Sequence, residues 1–357
     1  MDTQAATTTP VREDPKRIEY FEVLRVVATI AVIGIHAAIT EWHAILIIDT
    51  RWVELTWING ALRFCVPIFF MISGALFLDP QRTLRARSLR RRIARLAFGY
   101  AVWSLLYAAL TVYGPGGSRD LWEFISEFVT GHFHLWFLIA LIGLNLATPI
   151  LRRITTDRRI SWYFVALAVP FAAVFPLLES ISGAGDLLRS VLGTMRFDLV
   201  LGYSGYFVLG YLLHTARGTT RARVGWIICA AAGIAATVWG TIDASRAAGE
   251  TDERYFDFVS ITVAVVAVAV FVCARDWNVS HRLSTRWSRA VTLFAGASFG
   301  IYLVHPFFLW CLRQVGVTTE IASPWISVPV LTVAVAALSL GASLLLRCIP
   351  WVRGVLA

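Results

Sequence analysis

The chain is 357 residues long, 57% hydrophobic and only 15% charged, with a mean hydropathy of +0.67. Soluble domains carry about 25% charged and about 45–50% apolar residues, so a disordered chain, a nucleic-acid-binding module and an ordinary cytosolic enzyme are excluded. The formal net charge of +9 does not by itself imply an anionic partner, because an integral membrane protein gains the same excess from basic cytoplasmic loops.

Residues 1–17 are Thr-rich and polar, too polar for a signal peptide, and are expected to form a disordered cytoplasmic tail ahead of one transmembrane domain over 18–357. Ten apolar stretches follow, at about 20–41, 56–78, 93–113, 132–151, 160–178, 198–214, 224–242, 256–274, 290–312 and 325–346. About 20 residues cross the ~30 Å hydrocarbon core, so these lengths predict an all-α polytopic transmembrane helical bundle of about ten spans. Of the 32 basic residues, 22 fall in alternate loops and the two terminal segments, 7 in the opposite loops, and Arg25, Arg63 and Arg95 inside spans. That bias puts both termini in the cytoplasm and requires an even number of spans. The opposite loops at 114–131 and 179–197 have amphipathic portions suited to the membrane interface. The five cysteines show no CxxC spacing, and no metal is expected.

An ionisable side chain inside a span is costly unless paired or set in a wet cavity, so each one is a candidate. In the first span Glu22 and Arg25 are three residues apart, and Arg25 and His36 eleven apart, three helical turns and about 20°. The result is one polar stripe rising about 16 Å from the cytoplasmic surface to mid-membrane. His36 suits a general base and Arg25 an anion anchor held by Glu22; an interfacial ion pair with a packing histidine is the other reading. Arg63, near the outer end of the second span, either snorkels to the interface or meets a substrate, while Pro67 and Ser73-Gly74 suggest a kink or a close helix approach. The third span opens with Arg91, Arg92 and Arg95 sharing a face; this is either topology or a guanidinium cluster for a phosphate-rich cofactor such as coenzyme A. His132, His134 and Trp136 lie at the outer interface of the fourth span, and Asn145 reads as helix–helix glue. In the ninth, Tyr302 and His305 precede Pro306, which frees a backbone carbonyl and bends the helix, while His214 reads as an ordinary interfacial residue. HExxH and Walker A are absent from the sequence.

Several of these segments together resemble the acyltransferase-3 family of integral membrane acyltransferases: Arg25-x10-His36, VPIFFMISG, Arg92-x-x-Arg95, HLWFLIALIGLNLATPIL and FGIYLVHP, covering about 17–346. RFCVPIFFMISG and HLWFL look closest to stand-alone bacterial O-acetyltransferases of surface-glycan pathways. Glu22 stands where many members have Asp, and a C-terminal SGNH-type domain is not present in the sequence. The resemblance implies transfer of an acyl group, usually acetyl from acetyl-CoA, to a hydroxyl of a sugar or polyprenyl-linked glycan, in the bacterial inner membrane among its lipids. It implies His36 as the essential histidine, Arg25 as its motif partner, and Arg92 and Arg95, with Arg91 beside them, as acyl-CoA contacts. Arg63, His134, Trp136, Tyr302 and His305 are then expected on the acceptor side. The oligomeric state is left open and no nucleic acid is expected.

Two rivals share some of these features. A transporter or flippase of a lipid-linked sugar or small anion also uses midplane His and Arg, though the sequence lacks matched Gly/Pro-broken halves. A membrane glycosyltransferase would want an acidic residue near an outer loop, for which Glu41, Glu54, Asp120 and Asp198 are the candidates.

Overall fold

In hydrocarbon each backbone N–H and C=O must be satisfied within the protein, and a helix does this inside one segment. The computed structural model describes residues 19–169, 198–216, 220–276 and 284–349, which form helices and no strand. In chain order these are α1 (Glu19–Trp42), α2 (Thr50–Leu62), α3 (Cys65–Phe77), α4 (Ala86–Tyr113), α5 (Leu121–Thr130), α6 (Trp136–Ile154) and α7 (Arg158–Val169). They continue with α8 (Asp198–Thr215), α9 (Thr220–Ala248), α10 (Ile261–Asp276), α11 (Thr285–Gln314) and α12 (Pro324–Arg347).

Among the described residues, eight segments are long and apolar enough to cross a membrane, where the sequence suggested about ten. The fifth and sixth expected spans correspond to α7, whose range stops at Val169, and to α8. The tail at 1–17, the rest of the fifth span and the loop at 179–197 lie outside the described residues.

The second expected span is two helices. Pro67 has no N–H to offer the carbonyl of Arg63 four residues earlier, and the helix breaks there, between Leu62 and Cys65. Below the break, α3 lies against α8 at backbone distance. A Cβ on Gly74 would sit 1.7 Å from the carbonyl oxygen of Phe207, and one on Gly210 would sit 2.1 Å from that of Met71. Glycine on both helices is what lets the backbones touch, the device membrane helices use in place of a hydrophobic driving force.

The 114–131 loop contains a helix, α5. In α5 no residue is buried; Leu121, Trp122, Ile125 and Val129 stay exposed, and Asp120 caps the first turn by accepting from the Glu123 N–H at 2.8 Å. Tyr100 and Ser104 of α4 donate to the carbonyls of Val129 and Phe128 and tie the helix down.

Helix α1 is the central element, packed on α2, α3, α11 and α12. Its Glu22 accepts from Thr292 of α11 at 2.7 Å, and its His36 meets His305 of α11. The sequence separations, 270 and 269, are nearly equal, so α1 and α11 run parallel and in step for about 20 Å. Apolar packing surrounds both levels: Phe21, Leu24 and Phe271 near the first, and Trp42, Trp52 and Phe256 beyond the second.

Candidate active site

The site begins with Pro306. Lacking an N–H, it leaves the carbonyl of Tyr302, four residues back, without its helical donor, yet α11 continues through it to Gln314. His305 takes up that carbonyl: its Nδ1 lies 2.7 Å from the Tyr302 oxygen, and its side chain is fully buried. A carbonyl can only accept, so Nδ1 carries the hydrogen, and a neutral His305 then presents a lone pair at Nε2. That Nε2 is 2.6 Å from Nδ1 of His36, with the ring planes 4° apart. His36 is therefore the donor at Nδ1, which leaves its Nε2 as the basic nitrogen.

A second pair of histidines comes from the short turn before α6. His134 lies 5.5 Å from His305 and 6.4 Å from His36, ring centre to ring centre. Its Nδ1 is 2.8 Å from Nδ1 of His132, and its Nε2 is buried with no hydrogen-bond partner among the described residues. The turn is held from two helices: Tyr302 donates its hydroxyl to the His134 carbonyl, and the Tyr107 ring stacks on His132 at 4.4 Å while its hydroxyl donates to Leu303. His36, Cys65, Phe69, His134, Trp136 and Tyr302 line a cavity of about 420 Å³, with further apolar walls from α1, α3 and α6. Trp136 is fixed there by Tyr203 and Phe258 at 5.4 and 5.9 Å.

The structure thus brings together His36, His134, Trp136, Tyr302 and His305 from the residues singled out in the sequence. Arg63 sits apart from this group. It does not snorkel: it is only 7% exposed, its Nε donates to Asn59 at 2.9 Å, and its guanidinium lies over Phe256 and Phe258 at 4.6 and 5.2 Å. The helix break beside it turns it inward, and it does not line the histidine cavity. Asn145, read as helix–helix glue, donates its Nδ2 to the Leu141 carbonyl of its own helix, and among the described residues its side chain bonds to no neighbouring helix. His214 is held by the Tyr20 hydroxyl at 2.6 Å and packs on Phe21.

At the other level, Glu22 is buried and takes the Thr292 hydroxyl, and Arg25 is partly buried on the same helix. Arg92 lies over the Phe77 ring at 3.7 Å and Arg95 over Phe299 at 4.8 Å, while Arg91 is exposed. Phe299 also packs on Gly99, so α4 and α11 meet here. Arg347, which the sequence reading counted only as topology, donates to the Gly296 carbonyl on the same stretch of α11 and adds a further positive charge near Arg95. The feature missed in sequence is the His132–His134 contact; its signal was the HFH spacing ahead of a helix, which only a non-helical turn can fold onto itself.

These features define a polytopic helical membrane protein with a cavity lined by histidine and aromatic side chains. The acyltransferase-domain family matches residues 18–348, nearly the whole chain, and the chain belongs to this family, acyltransferase 3. No curated protein and no solved structure matches it.

Proposed function

We propose that the protein is an O-acyltransferase of the bacterial cytoplasmic membrane, moving acetyl from cytosolic acetyl-CoA to a hydroxyl of a sugar or lipid-linked surface glycan. The observation that carries this reading is the hydrogen-bond relay from the Tyr302 carbonyl through His305 to His36, which leaves the His36 Nε2 unprotonated at a cavity wall.

Acetyl-CoA docks with its phosphates at the arginine-rich end, on Arg92 and Arg95 with Arg347 near them, where planar guanidiniums suit phosphate oxygens. Arg25 lies on the way, about 16 Å of helix rise below His36, a span for the narrow pantetheine arm. The thioester then reaches the aromatic cavity. His36 Nε2 takes the proton of the acceptor hydroxyl as its oxygen attacks the thioester carbonyl carbon. The reading assigns the hydrogen between the two Nδ1 atoms to His132, so that His134 carries its own on Nε2, a donor for the oxygen that becomes negative in the tetrahedral intermediate. The intermediate collapses, the C–S bond breaks, and the CoA thiolate recovers the proton from the His36 imidazolium. An acyl-imidazole on His36 uses the same geometry, and labelled protein formed from labelled acetyl-CoA without acceptor distinguishes it.

The family sets the transporter reading aside, and the base-bearing cavity supports chemistry over passage. The test is release of CoA by purified protein together with thermal stabilisation by CoA. Wild type shows both on this reading, and His36→Ala keeps the stabilisation but loses turnover. A wild type that neither binds CoA nor transfers acyl groups overturns it.

A further inference from the structure

His36 lines a second cavity. The first takes its α1 walls from Val32 and Ile35, one turn before His36; the second, of about 330 Å³, takes them from Ala37, Thr40 and Glu41, one turn after. The two spaces therefore meet His36 from opposite directions along the helix.

Their chemistry differs. The first is mainly aromatic and aliphatic and holds no carboxylate or guanidinium. The second gathers Thr40 and Glu41 from α1, Arg313 from the end of α11, and Thr318 and Thr319 from the segment before α12. Glu41 is only 7% exposed, and its carboxylate bonds to no described residue. Thr319 is 2% exposed and its hydroxyl is buried without a partner among the described residues, a state that disfavours the empty site until something bonds to it. Its backbone, by contrast, is firmly held: Arg51 and Ser327 both donate to its carbonyl, at 3.2 and 2.8 Å. Thr318 Oγ1 accepts the Glu320 N–H and keeps its own hydrogen to donate.

A rigid wall with an unpartnered hydroxyl, an unpartnered carboxylate and a guanidinium disfavours an apolar chain, and the carboxylate disfavours an anion. It suits a neutral polyhydroxyl ring, whose hydroxyls donate to Glu41 and accept from Arg313 and the threonines.

We infer that this cleft is the acceptor subsite: Thr40, Glu41, Arg313, Thr318 and Thr319 hold one neutral sugar unit with a hydroxyl against His36, opposite the acyl-donor cavity. The inference rests on the acyltransferase reading above and adds to it where the acceptor sits. The acceptor hydroxyl gives its proton to His36 and its oxygen to the acetyl carbon, and CoA leaves on the donor side.

The experiment uses the full chain. Cells producing wild type, Glu41→Gln or Thr319→Val are fed isotopically labelled acetate, and label in surface glycans and glycolipids is measured by mass spectrometry. The purified proteins are tested in parallel for thermal stabilisation by CoA. Transfer should fall at least about tenfold in both variants, the equivalent of ~1.4 kcal/mol, with stabilisation by CoA retained. Thr40→Cys, on an exposed helix end, covers the case of misfolding. Reaction with a bulky sulfonated maleimide should cut its transfer at least about tenfold relative to the same protein unreacted, while treated wild type is unaffected. Wild-type transfer by both variants, or by reacted Thr40→Cys, overturns the inference. A wild type that fails to transfer acetyl and to bind CoA overturns the underlying acyltransferase reading instead.

Discussion

Replacing His305 by leucine removes the one acceptor facing Nδ1 of His36, at 2.6 Å, in a place with no exposed surface. A buried donor left without a partner costs about 1–3 kcal/mol. His36 avoids that cost by moving its hydrogen to Nε2, and at ~1.4 kcal/mol per decade the population of the base-competent tautomer falls roughly 5- to 150-fold. The expected kinetic result is a drop in kcat of about 10- to 100-fold with the KM for acetyl-CoA changed less than about twofold, because the bound ground state is untouched. His305→Gln keeps an acceptor oxygen and should recover much of kcat. The assay is CoA release under saturating acetyl-CoA, with stabilisation by CoA as the check on folding. If folded His305→Leu turns over like wild type, the tautomer argument is wrong.

Pro306→Ala restores an N–H that competes with His305 for the Tyr302 carbonyl; thermal stability should hold or rise while kcat falls severalfold, and unchanged kcat would count against the relay. Arg92→Ala and Arg95→Ala should each raise the KM for acetyl-CoA by about tenfold with little change in kcat, whereas exposed Arg91→Ala stays within about twofold, all read from initial rates. Gly74→Ala or Gly210→Ala would push a methyl into the facing backbone; melting in detergent should show a loss of about 1–3 kcal/mol or more, against little change for Gly225→Ala, where the space is open. His134→Phe removes the donor at Nε2 and keeps a ring of similar size; kcat should fall about 10²–10³-fold with stabilisation by CoA intact, and a fall of less than about threefold would exclude His134 from the oxyanion role.

Much of the site was legible because α1 carries its own ruler. Helical spacing alone sets Glu22 and His36 on a side they share, and the structure finds both facing α11. The partner of His305 was not legible, since its meeting with His36 depends on the register of two helices 269 residues apart. The sequence groups His305 with the acceptor-side residues, and the structure sets its Nε2 2.6 Å from Nδ1 of His36. The setting of Arg63 was legible only in part: the Pro67 break lies four residues on in the sequence, but the rings of Phe256 and Phe258 that receive the guanidinium come from nearly 200 residues away. The close contact of Gly74 with Phe207 fits the small-residue signal read at Ser73-Gly74, but its partner helix could not be named from sequence. Positive charge in the loops read as topology also hid Arg347, which becomes visible as a member of the arginine end only through its bond to Gly296.

The central claim is that His36 is the base for acyl transfer, and its direct test is acetyl transfer from labelled acetyl-CoA by membranes carrying wild type or His36→Ala. The account predicts labelled glycan or glycolipid from wild type and at least about a hundredfold less from the variant, with stabilisation of the purified variant by CoA preserved. Wild-type transfer by folded His36→Ala would contradict it.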